Sequence, residues 1–188
     1  MSEQQLTAPL SAPAPAGEPR SGWSLLLPYA VQAVAIVAIF AAVGALAGVV
    51  WEWVWTPPVG VAVHHQWLQD EAGLRGNFSA TGTYVLVAVV AGLVTGAVVA
   101  LLLDRSELVT LVAVVAGALL AGWVMQHVGS ALGPADPHHI AASAQDETRI
   151  PGSLVVSGKS ALRAFPAGAL LGLTVVFLGF SRLRQSAR

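Results

Sequence analysis

The sequence predicts an all-α membrane protein: a four-transmembrane-helix bundle with a small extracytoplasmic cap that has room for short β-strands. Three observations carry this. Charged residues make up 10% of the 188 residues and hydrophobic ones 55%, whereas a soluble domain carries about 25% charged residues. The mean hydropathy is +0.70. Four apolar runs each come near or exceed the roughly 20 residues that cross a hydrocarbon core. Segments rich in proline, glycine and charge separate most of them.

The same arithmetic removes several functions. Nine Lys and Arg against ten Asp and Glu leave a net charge of -1. No basic stripe exists to neutralise phosphates, so nucleic acid is not an expected partner. There are no cysteines, which excludes disulfides, thiolate metal sites and cysteine nucleophiles.

Residues 1–22 hold four prolines and little that is strongly apolar, the composition of a disordered cytoplasmic tail. The transmembrane domain is expected over 23–181, with spans at about 24–55, 83–103, 108–128 and 161–180. Pro28 falls in the first turns of span one, where proline is tolerated. Ala45-Leu46-Ala47 has the form of a cleavage site. However, the apolar run exceeds the about 7–15 residues of a signal peptide's core, so an uncleaved anchor is expected. Asp104-Arg105-Ser106-Glu107 breaks spans two and three into a tight hairpin. Pro166 lies early in span four and should kink it or mark its start. Residues 182–188 form a short basic cytoplasmic tail.

Four spans place both termini on one side. Arg20, Arg105, Arg182, Arg184 and Arg188 fall in the short segments of that side, against Arg75, Arg149, Lys159 and Arg163 in the long loops. The density of positive charge puts the termini in the cytoplasm of a plasma-membrane protein. Trp51, Trp53, Trp55, Tyr84 and Trp123 then mark the outer interface and Trp23 the inner one.

Small residues recur at four-residue spacing: Gly44 and Gly48, Gly92 and Gly96, Gly168 and Gly172, with Ala118 and Gly122 in span three. Such faces let backbones approach, which is how helices associate in lipid. They are candidate faces for helix packing, for self-association or for other membrane proteins, alongside the lipid bilayer itself. Away from the interfaces the spans contain Gln32, Thr95, Thr110 and Thr174 and no charge. That argues against an ion channel or a proton-coupled transporter, which need intramembrane ionisable groups. LVAVVAG occurs at 86–92 and again at 111–117, and GALAG at 44–48 resembles GALLAG at 117–122. Duplication of a helix–loop–helix unit and plain low complexity both account for this.

The outer loops span 56–82 and 129–160. Pro57-Pro58 stops the first helix. Val59–Val63 reads as a strand, 69–73 as a turn, and Leu74–Ser79 as a returning strand. In the second loop 133–137 reads as a rigid turn and Ile150–Gly158 as another strand. A lone hairpin is marginal in water, so a cap needs all its strands.

Two histidine pairs stand out, His64-His65 and His138-His139, with Asp70, Glu71 and Asp136 nearby. Histidine and carboxylate bind zinc or copper. Adjacent strand residues point to opposite faces, however, so each pair offers at most one ligand to a common site. The plainer reading is solvated loop histidines. A second constellation is Glu52, His127 and Arg163, all placed near the outer interface. Arg163 at a helix N-terminus opposes the dipole and should pair with an acid such as Glu52 or reach into headgroups. No enzyme signature is present: there is no G-x-S-x-G, H-E-x-x-H or P-loop. Asn77-Phe78-Ser79 matches a glycosylation acceptor, informative only in a eukaryotic secretory route.

Trp51-x-Trp53 running into Pro57-Pro58-Val59-Gly60-Val61, the Asp104-Arg105 break, Leu132–Pro137, and Ile150–Val156 leading into 161–171 together carry a likeness. Over about 24–181 the chain resembles a family of small actinobacterial four-span integral membrane proteins of unknown function. It has Phe165 where such members often have tryptophan before the fourth-span proline. The resemblance implies architecture and location, not mechanism. The expected function is a non-enzymatic structural or accessory subunit without a cofactor. The alternatives are a carrier for a small apolar or amphipathic substrate and an extracytoplasmic metal or pH sensor using the loop histidines.

Overall fold

The computed structural model describes residues 22–102, 107–158 and 160–186. The 1–22 tail lies outside them except for Gly22, which opens the first helix. The long helices are α1 (Gly22–Val54), α2 (Glu71–Leu102), α3 (Glu107–Leu132) and α5 (Ala164–Ser186). All four contain stretches long and apolar enough to cross a membrane. A short helix α4 (Pro137–Ala141) and strands β1 (Val59–Val63), β2 (Gln66–Leu68) and β3 (Arg149–Pro151) build a cap at one end of the bundle.

Several boundaries differ from expectation. Residues 74–79 are not a strand: α2 begins at Glu71, twelve residues before the expected span. Asp70 starts it, its side chain accepting the Gly73 N–H at 2.8 Å, the N-cap bond that satisfies a donor of the first turn. The strand that pairs back onto β1 is β2, earlier in the chain. The strand expected over 150–158 is only the three residues of β3. Part of the turn expected at 133–137 instead starts α4, where Asp136 caps the His138 N–H (3.0 Å) and Pro137 takes the first helical position. α5 runs on through Ser186, into the expected tail.

Two close pairs organise the bundle. α1 packs along α3 and α2 along α5, while the α1–α2 and α3–α5 contacts are sparser. The α1–α3 pair is parallel. A Cβ on Gly44 would sit 2.5 Å from the Ala121 carbonyl oxygen, and one on Gly48 would sit 2.7 Å from that of Met125. Gln32 donates from Nε2 to Thr110 Oγ1 (2.9 Å) within the same pair.

The α2–α5 contact is reciprocal. Gly92 abuts the Phe165 carbonyl and Gly168 abuts that of Val89; one turn on, Gly96 abuts Ala169 and Gly172 abuts Leu93. Equivalent positions serve both helices, the pattern of a two-fold interface. All six glycines singled out by spacing therefore lie against a neighbouring backbone. Between the pairs the interior is filled by Ile36, Phe40, Met125 and Phe165, each fully buried. The Phe40 and Phe165 rings meet edge to face at 6.2 Å, a favourable aromatic geometry.

The cap draws on both connections. The sheet order is β2-β1-β3 with both pairings antiparallel, so β3 from the second connection completes the hairpin of the first. Trp67 on β2 lies across Gly60 of β1, where a Cβ would strike its ring, and donates from Nε1 to the Ile150 carbonyl (3.2 Å). Ala62, Ala141 and Ile150 form the small core beneath. Leu154, Val156 and Ala161, from the second connection, join the main core.

Candidate functional site

The cap end of the bundle is closed by two aromatic side chains. Trp51 of α1 donates from Nε1 to the Ala80 carbonyl of α2 (2.9 Å). Tyr84 of α2 donates its hydroxyl to the Gly122 carbonyl of α3 (2.8 Å). Their rings meet edge to face at 5.1 Å. On α3, Gly129 makes room for the Trp51 ring, against which any Cβ would collide. Three helices are thus tied by two buried donors, both satisfied.

Trp51, Tyr84 and Trp123 come to this same end of the bundle, but only some of the aromatics there face outward. Trp51 and Tyr84 are fully buried and Trp55 is 6% exposed, whereas Trp53 is 82% exposed and Trp123 is also exposed. Positions 51 and 55 share one helix face and 53 the opposite one, a spacing visible in the sequence. Phe78 of α2, 80% exposed, is an outward aromatic that sequence reasoning did not single out.

The polar constellation is not assembled as a pair. Glu52 is half-buried and Arg163 exposed, and among the described residues the only ion pair is Arg75–Glu71, exposed and one turn apart on α2. Arg163 closes a 3₁₀ turn (Ala161–Arg163) that precedes α5, so it sits before the α-helix rather than in its first turn. His127 is engaged locally. Its ring lies 3.9 Å from that of Trp123, and Nδ1 is 2.9 Å from the Trp123 carbonyl. A carbonyl only accepts, so Nδ1 is the donor of this contact.

The histidine pairs occupy different elements. His64 and His65 are the two turn residues between β1 and β2, both at positive φ (49° and 60°), as a type I′ hairpin turn requires. The strain is held by a distant anchor: the His64 N–H donates to Asp146 Oδ1 (2.8 Å). His138 and His139 lie in α4, His138 edge-on to Trp67 at 5.5 Å. Among the described residues no three His, Asp or Glu side chains come together as a metal-holding group.

Three hollows bear on function. A trough of about 750 Å³ runs between α1 and α3, lined by residues such as Ala33, Val37, Ala41, Val112 and Ala116. One of about 490 Å³ lies between α1 and α2, with Thr95 among its apolar lining. Both are lateral grooves between neighbouring helices. The third, about 460 Å³, lies on the cap between Asp70 and Arg149.

No protein family, no curated protein and no solved structure matches the chain.

Proposed function

We propose that the chain is a multi-pass plasma-membrane protein with both termini cytoplasmic, acting as a non-enzymatic structural or accessory subunit. One observation carries this reading: the helices meet backbone to backbone at Gly92, Gly96, Gly168 and Gly172. A carrier moves substrate through a cavity that opens alternately to each side. Here aromatic and aliphatic side chains fill the space between the pairs, and the apolar hollows open sideways. Such a body presents surfaces to lipid and to other proteins. The resemblance to small actinobacterial four-span proteins agrees with this location.

Purification from native membranes in mild detergent tests the reading. The expected result is a membrane protein retained in fixed ratio to the chain. Recovery of the chain alone, together with loss of uptake of an apolar solute on deletion, would replace this reading with the carrier. Topology has its own test. Cysteines at Ser79 and Ser143 should react with an impermeant thiol reagent on intact cells, and one at Ser186 should not. Labelling at Ser186 alone would reverse the orientation.

A further inference from the structure

The sheet of the cap has one covered face and one open face. Successive strand residues alternate between faces. On β1, Gly60 and Ala62 turn toward Trp67, Ile150 and α4. Val59 and Val61 turn the other way, and register sets Leu68 and Arg149 on either side of Val61, with Pro151 beside Val59. The open face is therefore an aliphatic floor of Val59, Val61, Leu68 and Pro151, with Val59 and Leu68 half exposed. Asp70 follows β2 on one side and Arg149 opens β3 on the other, and between them lies the hollow of about 460 Å³. That volume is within the range of small-molecule sites, about 300–1,000 Å³.

The charges say what fits. Neither Asp70 nor Arg149 has an ion-pair partner among the described residues. Asp70 spends Oδ1 on the α2 cap and keeps its other oxygen. Arg149 presents a planar fork suited to a carboxylate. Asp70 follows the β2 edge and Arg149 opens the β3 edge, so their backbones lie on the order of 10 Å apart across two strand spacings of about 4.8 Å. Three extended residues span at most about 10 Å. A peptide of two or three residues matches that backbone separation, while a long chain would have to leave the hollow. Addition of a strand to the β3 edge is disfavoured, because Pro151 offers no N–H there.

We propose that this hollow binds a short peptide of two or three residues with free termini, its aliphatic side chains on the Val59–Val61–Leu68–Pro151 floor, its ammonium at Asp70 and its carboxylate at Arg149. The site depends on neither the membrane orientation nor the accessory role. It gives the cap a recognition function that the bundle lacks.

Calorimetric titration of the full chain in detergent with trivaline tests it, alongside N-acetyl-trivaline and trivaline amide. Trivaline should give saturable binding. Asp70→Asn and Arg149→Gln should each weaken it about tenfold, the loss of one charge-assisted contact. Asparagine still caps α2, so the helix start survives the first variant, and circular dichroism checks both. The N-acetyl peptide should bind wild type and Asp70→Asn equally, and the amide should bind wild type and Arg149→Gln equally. Absence of saturable trivaline binding, or blocked peptides that bind as tightly as the free one, overturns the proposal. So does a wild-type dimer that Arg149→Glu converts to monomer, which would make a second copy the occupant.

Discussion

Adding one methyl group to Gly96 is the sharpest test of how the bundle is held. A Cβ there would fall on the Ala169 carbonyl and lie 2.9 Å from the Ala169 Cα, and those atoms are backbone. No side chain can swing aside, so α2 and α5 must separate along the whole contact. Overpacking of this kind costs about 1–3 kcal/mol, while alanine in place of glycine returns about 1 kcal/mol of helix propensity. Gly96→Ala should therefore destabilise by about 1 kcal/mol. Gly82→Ala and Gly179→Ala supply the opposite sign, since nothing lies within 4 Å of either new Cβ. They should gain about 0.5–1 kcal/mol. For a chain of this size 1 kcal/mol is about 2–4 °C in melting temperature. The chain has no cysteine for a thiol dye, but its six tryptophans, Trp51 and Trp55 buried among them, report melting by fluorescence. If Gly96→Ala melts as high as Gly82→Ala, close backbone approach does not hold the bundle together.

Combining Gly96→Ala with Gly172→Ala should cost less than the sum of the two, because one separation of α2 from α5 accommodates both methyl groups; melting of the double variant decides it. Tyr84→Phe removes the hydroxyl that reaches Gly122 and should lower stability by about 1 kcal/mol with the fold retained; a loss above about 3 kcal/mol would mean the hydroxyl supports more than this bond. Glu52→Gln and Arg163→Gln should be additive within about 0.5 kcal/mol, since no ion pair joins them; a larger coupling in a double-mutant cycle would show that they meet.

The bundle was legible because close backbone packing of helices leaves a short-range signature. Small residues four apart lie on one face of a helix, so Gly44, Gly48, Gly92, Gly96, Gly168 and Gly172 are marked before any partner is known. Which helix each face meets was not legible, because spacing within one helix says nothing about its neighbour. LVAVVAG illustrates the hazard: its copies lie in α2 and α3, which barely touch, while the reciprocal contact joins α2 to α5. The first three turns of α2 were hidden by composition. Gly73, Gly76 and Gly82 each lower helix propensity, yet the Asp70 cap and the contact of Gly76 with Pro58 hold the segment helical. The β1–β2 hairpin was hidden by its turn. His-His is not the Asn-Gly that announces a two-residue loop, and the bond that steadies it comes from Asp146, far along the chain.

The two halves of the molecule differ in kind, and the difference bears on where function resides. Across the bundle the α2–α5 contact treats both helices alike, and α1 pairs in parallel with α3. A helix–loop–helix unit repeated about a two-fold axis has this form. The connections break the symmetry. The first supplies a hairpin; the second supplies α4 and the single strand that completes the sheet. Three strands so short would be marginal alone, and each connection leaves the sheet incomplete without the other. Once completed, the sheet spends one face on Trp67, Ile150 and Ala141 and leaves the other open between Asp70 and Arg149. A symmetric, closely packed bundle offers few features to a specific ligand. The asymmetric cap offers an aliphatic floor flanked by two opposite charges, so the proposed small-ligand recognition belongs to the cap, with the bundle as its mount.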